Sequence, residues 1–353
     1  MNIGIDISPL ETGHFLQHRV RGTGFYLEHL KKSLLKYFSD NKYTFFTRSE
    51  KLPKNTNLVH IPYFEPFFLT LPKVNKFKTV VTVHDLTPLV FPKEFPAGLK
   101  GKLKWQIQKG RLKKADHIIT DSESSKEDII KYVGVSESKI SVVYLAAGEE
   151  FEKLKADNLK LKAVREKYDL PDPFCLYVGD VTWNKNLPRI IEAFREMDTQ
   201  LVIVGKAITE ENFDVSNPWN KDLASVQKMI SENDKIKTLG FVSTEDLVVL
   251  YNLADVFVMP SLYEGFGLPI LEAMACGCPV LTSKEGSLEE VGGDAAYYVN
   301  AYSKDDIAKA IRLIIDDNGL KINLSEKGLK QAQKFSWEQT AKNTMEVYKK
   351  VIS

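Results

Sequence analysis

The sequence predicts an α/β protein built from two doubly wound domains, each a parallel β-sheet with helices on both faces. Three observations predict it. The chain has 353 residues, enough for two domains of ordinary size. Short apolar runs alternate with amphipathic stretches of helical period, and they do so in two separate series. Between the series, residues 149–173 (EEFEKLKADNLKLKAVREKYDLPDP) turn highly charged and end in a turn-rich Asp-Leu-Pro-Asp-Pro. Strand–helix alternation feeds parallel sheets, because each crossover helix lies back on its sheet.

In the first series, 2–7, 43–47, 57–61, 79–83, 117–120 and 140–145 are short apolar runs of strand length. Helices are predicted over 25–38, where Phe25, Leu27, Leu30, Leu34 and Phe38 approximate one face, and over 124–133. The charged stretch 149–173 is read as a boundary carrying a solvated helix. The second series has strands at 174–178, 200–204, 235–239, 255–259, 279–282 and 296–299. Its helices fall at 187–196, 223–232, 244–252, 268–275 and 304–316. Ser336-Trp337-Glu338 opens a final helix running to Ile352. The domains are therefore expected at 1–160 and 170–335, with the terminal helix 337–353 packing back on the first.

Composition narrows the function classes. The chain is 43% hydrophobic and 27% charged, with a net charge of +1, so no global field draws it to nucleic acid. No run reaches the ~18 apolar residues of a membrane-spanning helix. The start MNIGIDISPL lacks a basic leader and reads as a first strand. Cys175, Cys276 and Cys278 are odd in number and follow neither a disulfide framework nor a zinc spacing. A cytoplasmic location is expected, and no metal or cofactor.

The most informative stretch is Asp255–Val280. A buried strand ends at Met259, Pro260 stops it, and Pro269 suits the first turn of a helix. Glu264-Gly265-Phe266-Gly267 is then the loop at a strand's carboxyl end, where doubly wound folds bind ligands. Gly265 and Gly267 let backbone approach a ligand. The helix start presents free N–H groups and a positive dipole end suited to phosphate. Glu264 lies in the loop and Glu272 about one turn inside the helix. Both accept hydroxyl hydrogens, so a ligand with a hydroxyl-rich head, a diphosphate and a ribose fits: a nucleotide sugar. The alternative makes Glu264 a solvated loop acid and Glu272 an acid compensating the helix dipole.

EGFGLPILEAMACGCPV, with seven residues between its two glutamates, resembles the E-x7-E signature of the retaining GT-B glycosyltransferases of family 4, mannosyltransferase-like members above all. The likeness spans most of the chain. RGTGFYLEHL (21–30), TVHDLTPLVFP (82–92), IITDSESSKEDIIKYVGVSESKISVVY (118–144), YVGDVTWNKNLPRIIEAF (177–194), SLEEVGGDAAYYV (287–299) and FSWEQTAKNTMEVY (335–348) resemble the family's segments in order. The resemblance implies two Rossmann-like domains facing a cleft. It implies a retaining, metal-independent hexosyltransferase that moves a sugar, mannose from GDP-mannose favoured, to a glycan or lipid-linked acceptor in polysaccharide or glycolipid synthesis. Glu264 would contact the donor sugar and Glu272 the ribose. Main-chain amides of Gly265, Phe266, Gly267 and Leu268 would meet sugar and diphosphate. Gly22 and Gly24 would admit the diphosphate, His84 would sit beside the reacting sugar, and Lys185 would neutralise the leaving phosphate. Asn184 is expected in the donor site, where the family usually carries arginine. Phe25 likewise stands where a basic residue is common, with Lys206, Arg19 and Arg21 as replacement cations. A non-catalytic nucleotide-sugar binder and a GT-B sugar-nucleotide epimerase are the alternatives.

Two further readings bear on mechanism. Gly22-Thr23-Gly24 lacks the third glycine of a dinucleotide fingerprint, Leu27 standing in its place, which argues against a dehydrogenase. No Asp-x-Asp occurs, so charge stabilisation must come from lysine and a helix N-terminus. Residues 99–114 (LKGKLKWQIQKGRLKK) hold seven bases and no acid, with Leu99, Leu103 and Ile107 four apart. They read as a solvated helix face or as an interfacial helix at the inner membrane face. The aromatic 62–72 (PYFEPFFLTLP) reads as a core-closing loop or an apolar acceptor path.

Overall fold

The structure is a computed structural model describing residues 1–10, 21–48, 50–73, 76–210, 213–214 and 217–353. The chain divides into two compact units, one of Met1–Ala146 with Phe335–Ser353, the other of Ala147–Lys334.

The first unit contains β1 (Asn2–Asp6), α1 (Arg21–Tyr37), β2 (Lys42–Phe46), β3 (Leu58–Ile61), β4 (Lys78–Thr82), α2 (Thr87–Val90) and α3 (Gly98–Leu112). It continues with β5 (His117–Thr120), α4 (Glu123–Asp128), a wider helical turn over Ile129–Val133, and β6 (Ile140–Val142). All six strands are parallel, in the order β2-β1-β3-β4-β5-β6. The buried stripe Leu27, Leu30 and Leu34 seats α1 on the sheet. The chain's last helix, α13 (Trp337–Ile352), packs beside α1 and buries Ala341, Met345 and Tyr348. A buried polar chain secures it: the Tyr348 hydroxyl lies 2.7 Å from His60 Nδ1, and His60 Nε2 lies 2.8 Å from Thr82 Oγ1. Burial holds His60 neutral, down at about 3.

In the second unit, α5 (Leu159–Lys167) precedes β7 (Phe174–Val178), α6 (Leu187–Phe194), β8 (Gln200–Val204), α7 (Lys221–Ser231), β9 (Ile236–Gly240) and α8 (Thr244–Leu253). Then come β10 (Val256–Met259), α9 (Leu268–Ala275), β11 (Val280–Thr282), α10 (Leu288–Gly292), β12 (Ala296–Tyr298), α11 (Lys304–Asp316) and α12 (Asn318–Ala332). Its six parallel strands run β12-β11-β10-β7-β8-β9. From β7 the chain builds outward to β9, then returns with β10 on the other side of β7. The loops after β7 and β10 thus diverge at a topological switch point, where ligands of such sheets sit. Central strands such as Val256–Met259 are buried throughout, as parallel strands covered on both faces must be.

The start of α1 and the whole of α12 depart from the sequence reading, as do the short helices α2 and α10, which it did not contain. The helix predicted from Phe25 begins at Arg21, so Gly22 and Gly24 lie in its first turn rather than in a preceding loop. The amphipathic run behind them carries the helix through two poor helix formers. α12 was not predicted because its buried face is Leu324, Gly328 and Gln331, which makes no apolar stripe. Gly328 lets the helix lie against Met274 of α9, whose Cγ would be 3.2 Å from an added Cβ.

Candidate functional site

The loops after β7 and β10 are laced together at the switch point. Asn184 accepts from the Leu262 amide at 2.6 Å, and its side-chain amide donates to the Tyr263 carbonyl at 3.0 Å. Its Oδ1 accepts from Thr182 Oγ1 at 2.8 Å. Asn184 therefore braces the two loops. Asn186, buried with a left-handed φ of 61° that asparagine tolerates, donates to the carbonyls of Pro260 (2.9 Å) and Ala301 (2.7 Å). Between these asparagines Lys185 projects across the crevice. Its ammonium donates to both carboxylate oxygens of Glu264, at 2.7 and 2.8 Å. The two side chains keep 20% and 10% of their surface exposed. The sequence had assigned these two residues separately, and the fold makes them a pair.

The loop carrying Glu264 is held from behind. Ser287 donates its hydroxyl to the carbonyls of Glu264 (3.1 Å) and Phe266 (2.8 Å). Gly286 makes this possible: a Cβ there would lie 2.5 Å from the Glu264 carbonyl oxygen, and its φ is +63°. Gly267, at φ +98°, turns the chain into α9, whose start has no side-chain cap. Gly265, Phe266 and Gly267 are buried, and Leu268 at the helix start is partly exposed. The lysine, the carboxylate and a helix N-terminus thus meet at one strand edge.

Glu272 faces inward from α9, and its Oε2 accepts from the Tyr251 hydroxyl at 3.0 Å. Burial pushes its carboxyl up to about 7; the Tyr251 bond opposes this and the charge of Glu150 adds to it. Glu272 is therefore neither a solvated acid nor an ordinary one.

In the first unit, His84 follows β4 and Asp121 follows β5. Their Nδ1–Oδ2 distance is 2.6 Å, with Asp121 3% and His84 21% exposed at the side chain. Burial works against an imidazolium here, but the Asp121 carboxylate outweighs it and holds the His84 pKa above its ordinary value. Ser125 Oγ donates to the His84 carbonyl at 3.0 Å, and the Tyr26 ring meets the imidazole edge-on at 4.9 Å. His84 Nε2 and Asp121 Oδ1 are buried without a well-formed hydrogen bond, and the nearby Pro62 carbonyl adds to the preference for the protonated imidazole. A Cβ on Gly22 would meet nothing within 4 Å, and one on Gly24 only Leu10 at 3.8 Å. Neither glycine is demanded by packing among the described residues.

Of the replacement cations, Lys206 is exposed just beyond β8, Arg21 opens α1, and Arg19 lies outside the described residues. Phe25 packs on His29 and Trp337. Sequence reasoning missed Asp121, Asn186, Tyr251, Gly286 and Ser287. Only Asp121 left a signal: an acid directly after a strand, ahead of the helix cap Ser122. Among the described residues, no group of three or more His, Cys, Asp or Glu could hold a metal ion.

Comparison with known proteins supplies the family. Residues 160–335 match the glycosyl transferases group 1, and residues 11–147 match Glycosyltransferase Family 4. The chain is 28% identical over 302 residues to the serotype-specific mannosyltransferase WbdA of Escherichia coli, covering 83% of this chain and 36% of that protein. It thus spans about a third of the length of the first curated relatives it matches. It is 31% identical over 280 residues to the O-antigen chain mannosyltransferase B of Escherichia coli, covering 77% of this chain and 70% of that one. The crystal structure of Anabaena Alr3699/HepE in complex with UDP-glucose superposes with a TM-score of 0.73 at 16% identity, covering 99% of each chain, and so shares the fold. Two parallel six-stranded sheets, the paired glutamate motif and these matches together place the chain in the group 1, family 4 glycosyltransferases of GT-B fold.

Proposed function

We propose that the protein is a retaining, metal-independent glycosyltransferase that moves a hexose from a nucleotide sugar to a glycan or lipid-linked acceptor in polysaccharide or glycolipid synthesis. The observation that carries the proposal is the Lys185–Glu264 pair beside the uncapped start of α9. An ammonium has three N–H donors, and two of Lys185's point at Glu264, leaving one for a phosphate oxygen. Glu264 accepts hydroxyl hydrogens of the sugar as Lys185 turns to the diphosphate. Charge growing on that diphosphate as the glycosidic bond breaks is stabilised by Lys185 and by main-chain N–H groups at the helix start. The departing phosphate takes the acceptor hydroxyl's proton on the face it leaves, which retains configuration. In the first unit, His84 donates from Nε2 to the reacting sugar, and Gly22 and Gly24 leave room for the diphosphate.

The Escherichia coli relatives are named mannosyltransferases, which favours mannose and GDP-mannose. The UDP-glucose held by the Anabaena neighbour keeps UDP sugars under test. Among the described residues no helix is long and apolar enough to cross a membrane. A cytoplasmic location belongs to the same proposal. A nucleotide-sugar binder without turnover is the second reading, favoured because Asn184 replaces an arginine and serves as a brace. A thermal-shift panel of nucleotide sugars, followed by product analysis with an acceptor, tests both. The correct donor at ~100 times its Kd adds roughly 2.7 kcal/mol of stability. Protection without transfer over an acceptor panel selects the second reading.

Glu272 adds a pH signature. Its folded pKa of about 7 exceeds that of an unfolded glutamate. Between those values the native chain holds a proton that the unfolded chain has lost, so stability falls as pH rises through that window and levels off above it. Only the ionised carboxylate accepts two ribose hydroxyls, so nucleotide affinity is expected to rise about tenfold from pH 6 to pH 8. Titration calorimetry should show the rise in the native protein and its absence in Glu272→Gln. A flat native profile removes Glu272 from the ribose site.

Asp121 holds the proton and orientation of His84. Asp121→Asn is expected to lower kcat about 100-fold, with donor Kd within about twofold of native, because the amide cannot sustain the imidazolium. The loss of activity as pH rises through the His84 titration should set in at lower pH. An unshifted pH–rate profile would separate Asp121 from the chemistry.

A further inference from the structure

We propose that the outward crest of α3 seats on the surface of a bilayer containing anionic lipid. The helix is turned the wrong way round for a solvated one. Its inward residues are Gly101, Gln108 and Leu112, and its outward ones are Leu99, Leu103 and Ile107, exposed by 87%, 66% and 38%. A surface helix ordinarily buries its aliphatic stripe and exposes its polar one.

The inward face is specifically engaged, which fixes the orientation. Gly101 lies against Phe67 and Ala97. Gln108 is fully buried and donates to Thr70 Oγ1 at 2.6 Å, while its Oε1 accepts from the Leu71 amide at 3.3 Å. Arg111 donates to the Leu71 carbonyl at 2.6 Å. The aromatic loop 62–72 is thus the scaffold of α3, and no rotation of the helix would hide its leucines without breaking these bonds.

Bases flank the apolar crest on both sides. At 3.6 residues per turn, Lys102 and Lys109 fall to one side of the Leu99–Leu103–Ile107 line, and Lys100, Lys104 and Arg111 to the other; Lys113 and Lys114 follow. All seven bases sit in a chain whose net charge is only +1. This pattern decides between occupants. A second copy in a two-fold contact would set seven cations against seven, and three aliphatic side chains fall far short of the roughly 1,200 Å² of a stable interface. An acidic protein surface would answer the lysines and leave the leucines in water. A lipid surface answers both: phosphate headgroups meet the flanking bases, and the aliphatic crest enters the acyl boundary.

Sedimentation of the full chain with phosphatidylcholine vesicles, with and without phosphatidylglycerol, tests this. At least tenfold tighter binding to the anionic vesicles is expected, weakened by salt. The triple variant Leu99→Gln/Leu103→Gln/Ile107→Gln and the charge variant Lys100→Glu/Lys102→Glu should each lose at least tenfold while keeping the native thermal midpoint, since all five residues are exposed. Equal binding to neutral and anionic vesicles overturns the proposal. So does native-like binding by the triple variant, which would make the contact purely electrostatic, or a dimer of the native chain abolished by that variant, which would make the occupant a second copy. Vesicle binding is read without donor or turnover, so its failure and that of the transferase reading are separate results.

Discussion

Glu264→Ala is expected to lower turnover about 1,000-fold and leave a folded protein. The carboxylate is held by its partners to a single position. Ser287 fixes the Glu264 carbonyl, Gly286 leaves the backbone room to sit there, and Lys185 holds both carboxylate oxygens. A preorganised acceptor of this kind contributes most where charge develops, and losing one such group typically costs about 3–4 kcal/mol in the transition state. The folding cost is smaller. Lys185 keeps 20% of its side chain exposed and can extend its ammonium to water, so the lost pair costs about 1 kcal/mol, a shift of a few degrees in Tm. Initial-rate measurement with the donor found in the thermal-shift panel, alongside circular dichroism melting, checks both halves. Glu264→Gln should fall between native and alanine, because the amide keeps one acceptor and loses the charge. A native rate in Glu264→Ala would reduce the acid to a structural counter-ion for Lys185.

The fold was largely legible because its signals are local. Buried parallel strands are short apolar runs bounded by turn residues, and the inner strands of both sheets show such runs, whereas the edge strands β2 (KYTFF) and β9 (IKTLG) carry polar residues and are only partly buried. Pro260 and Pro269 bracket the β10–α9 loop and announce a strand end and a helix start. What stayed hidden depends on tertiary partners. Asn184 reads in the sequence as a lost arginine, and only the neighbouring loop shows that its amide spans two strand ends. Gly286 and Ser287 lie more than twenty residues from Glu264 and support it through backbone carbonyls, which no side-chain pattern encodes. Tyr251 sits on the buried face of α8, where an aromatic residue looks like core; its hydroxyl on Glu272 is what distinguishes it. The α3 crest is the reverse case. Its leucines and lysines were plain in the sequence, but which face looked outward depended on Gln108 and the loop that receives it.

Lys185→Met is expected to lower turnover about as far as Glu264→Ala, but for the opposite reason and with a different effect on folding. The substitution removes the cation facing the leaving diphosphate. It also strands a carboxylate that is only 10% exposed and cannot reach water as a lysine can. An uncompensated buried charge costs about 3–5 kcal/mol; the residual exposure of Glu264 puts the cost here at about 2–3 kcal/mol. The double variant Lys185→Met/Glu264→Gln removes both members, so most of that stability should return, giving a favourable coupling of about 2–3 kcal/mol in a double-mutant cycle. Turnover should not return, because neither the acceptor for sugar hydroxyls nor the donor for phosphate has been replaced. Denaturant melts and kcat/KM on the same four proteins read the two quantities independently. If turnover recovered with stability in the double variant, the pair would be a structural ion pair at the switch point, and donor chemistry would have to be sought elsewhere on the sheet edge.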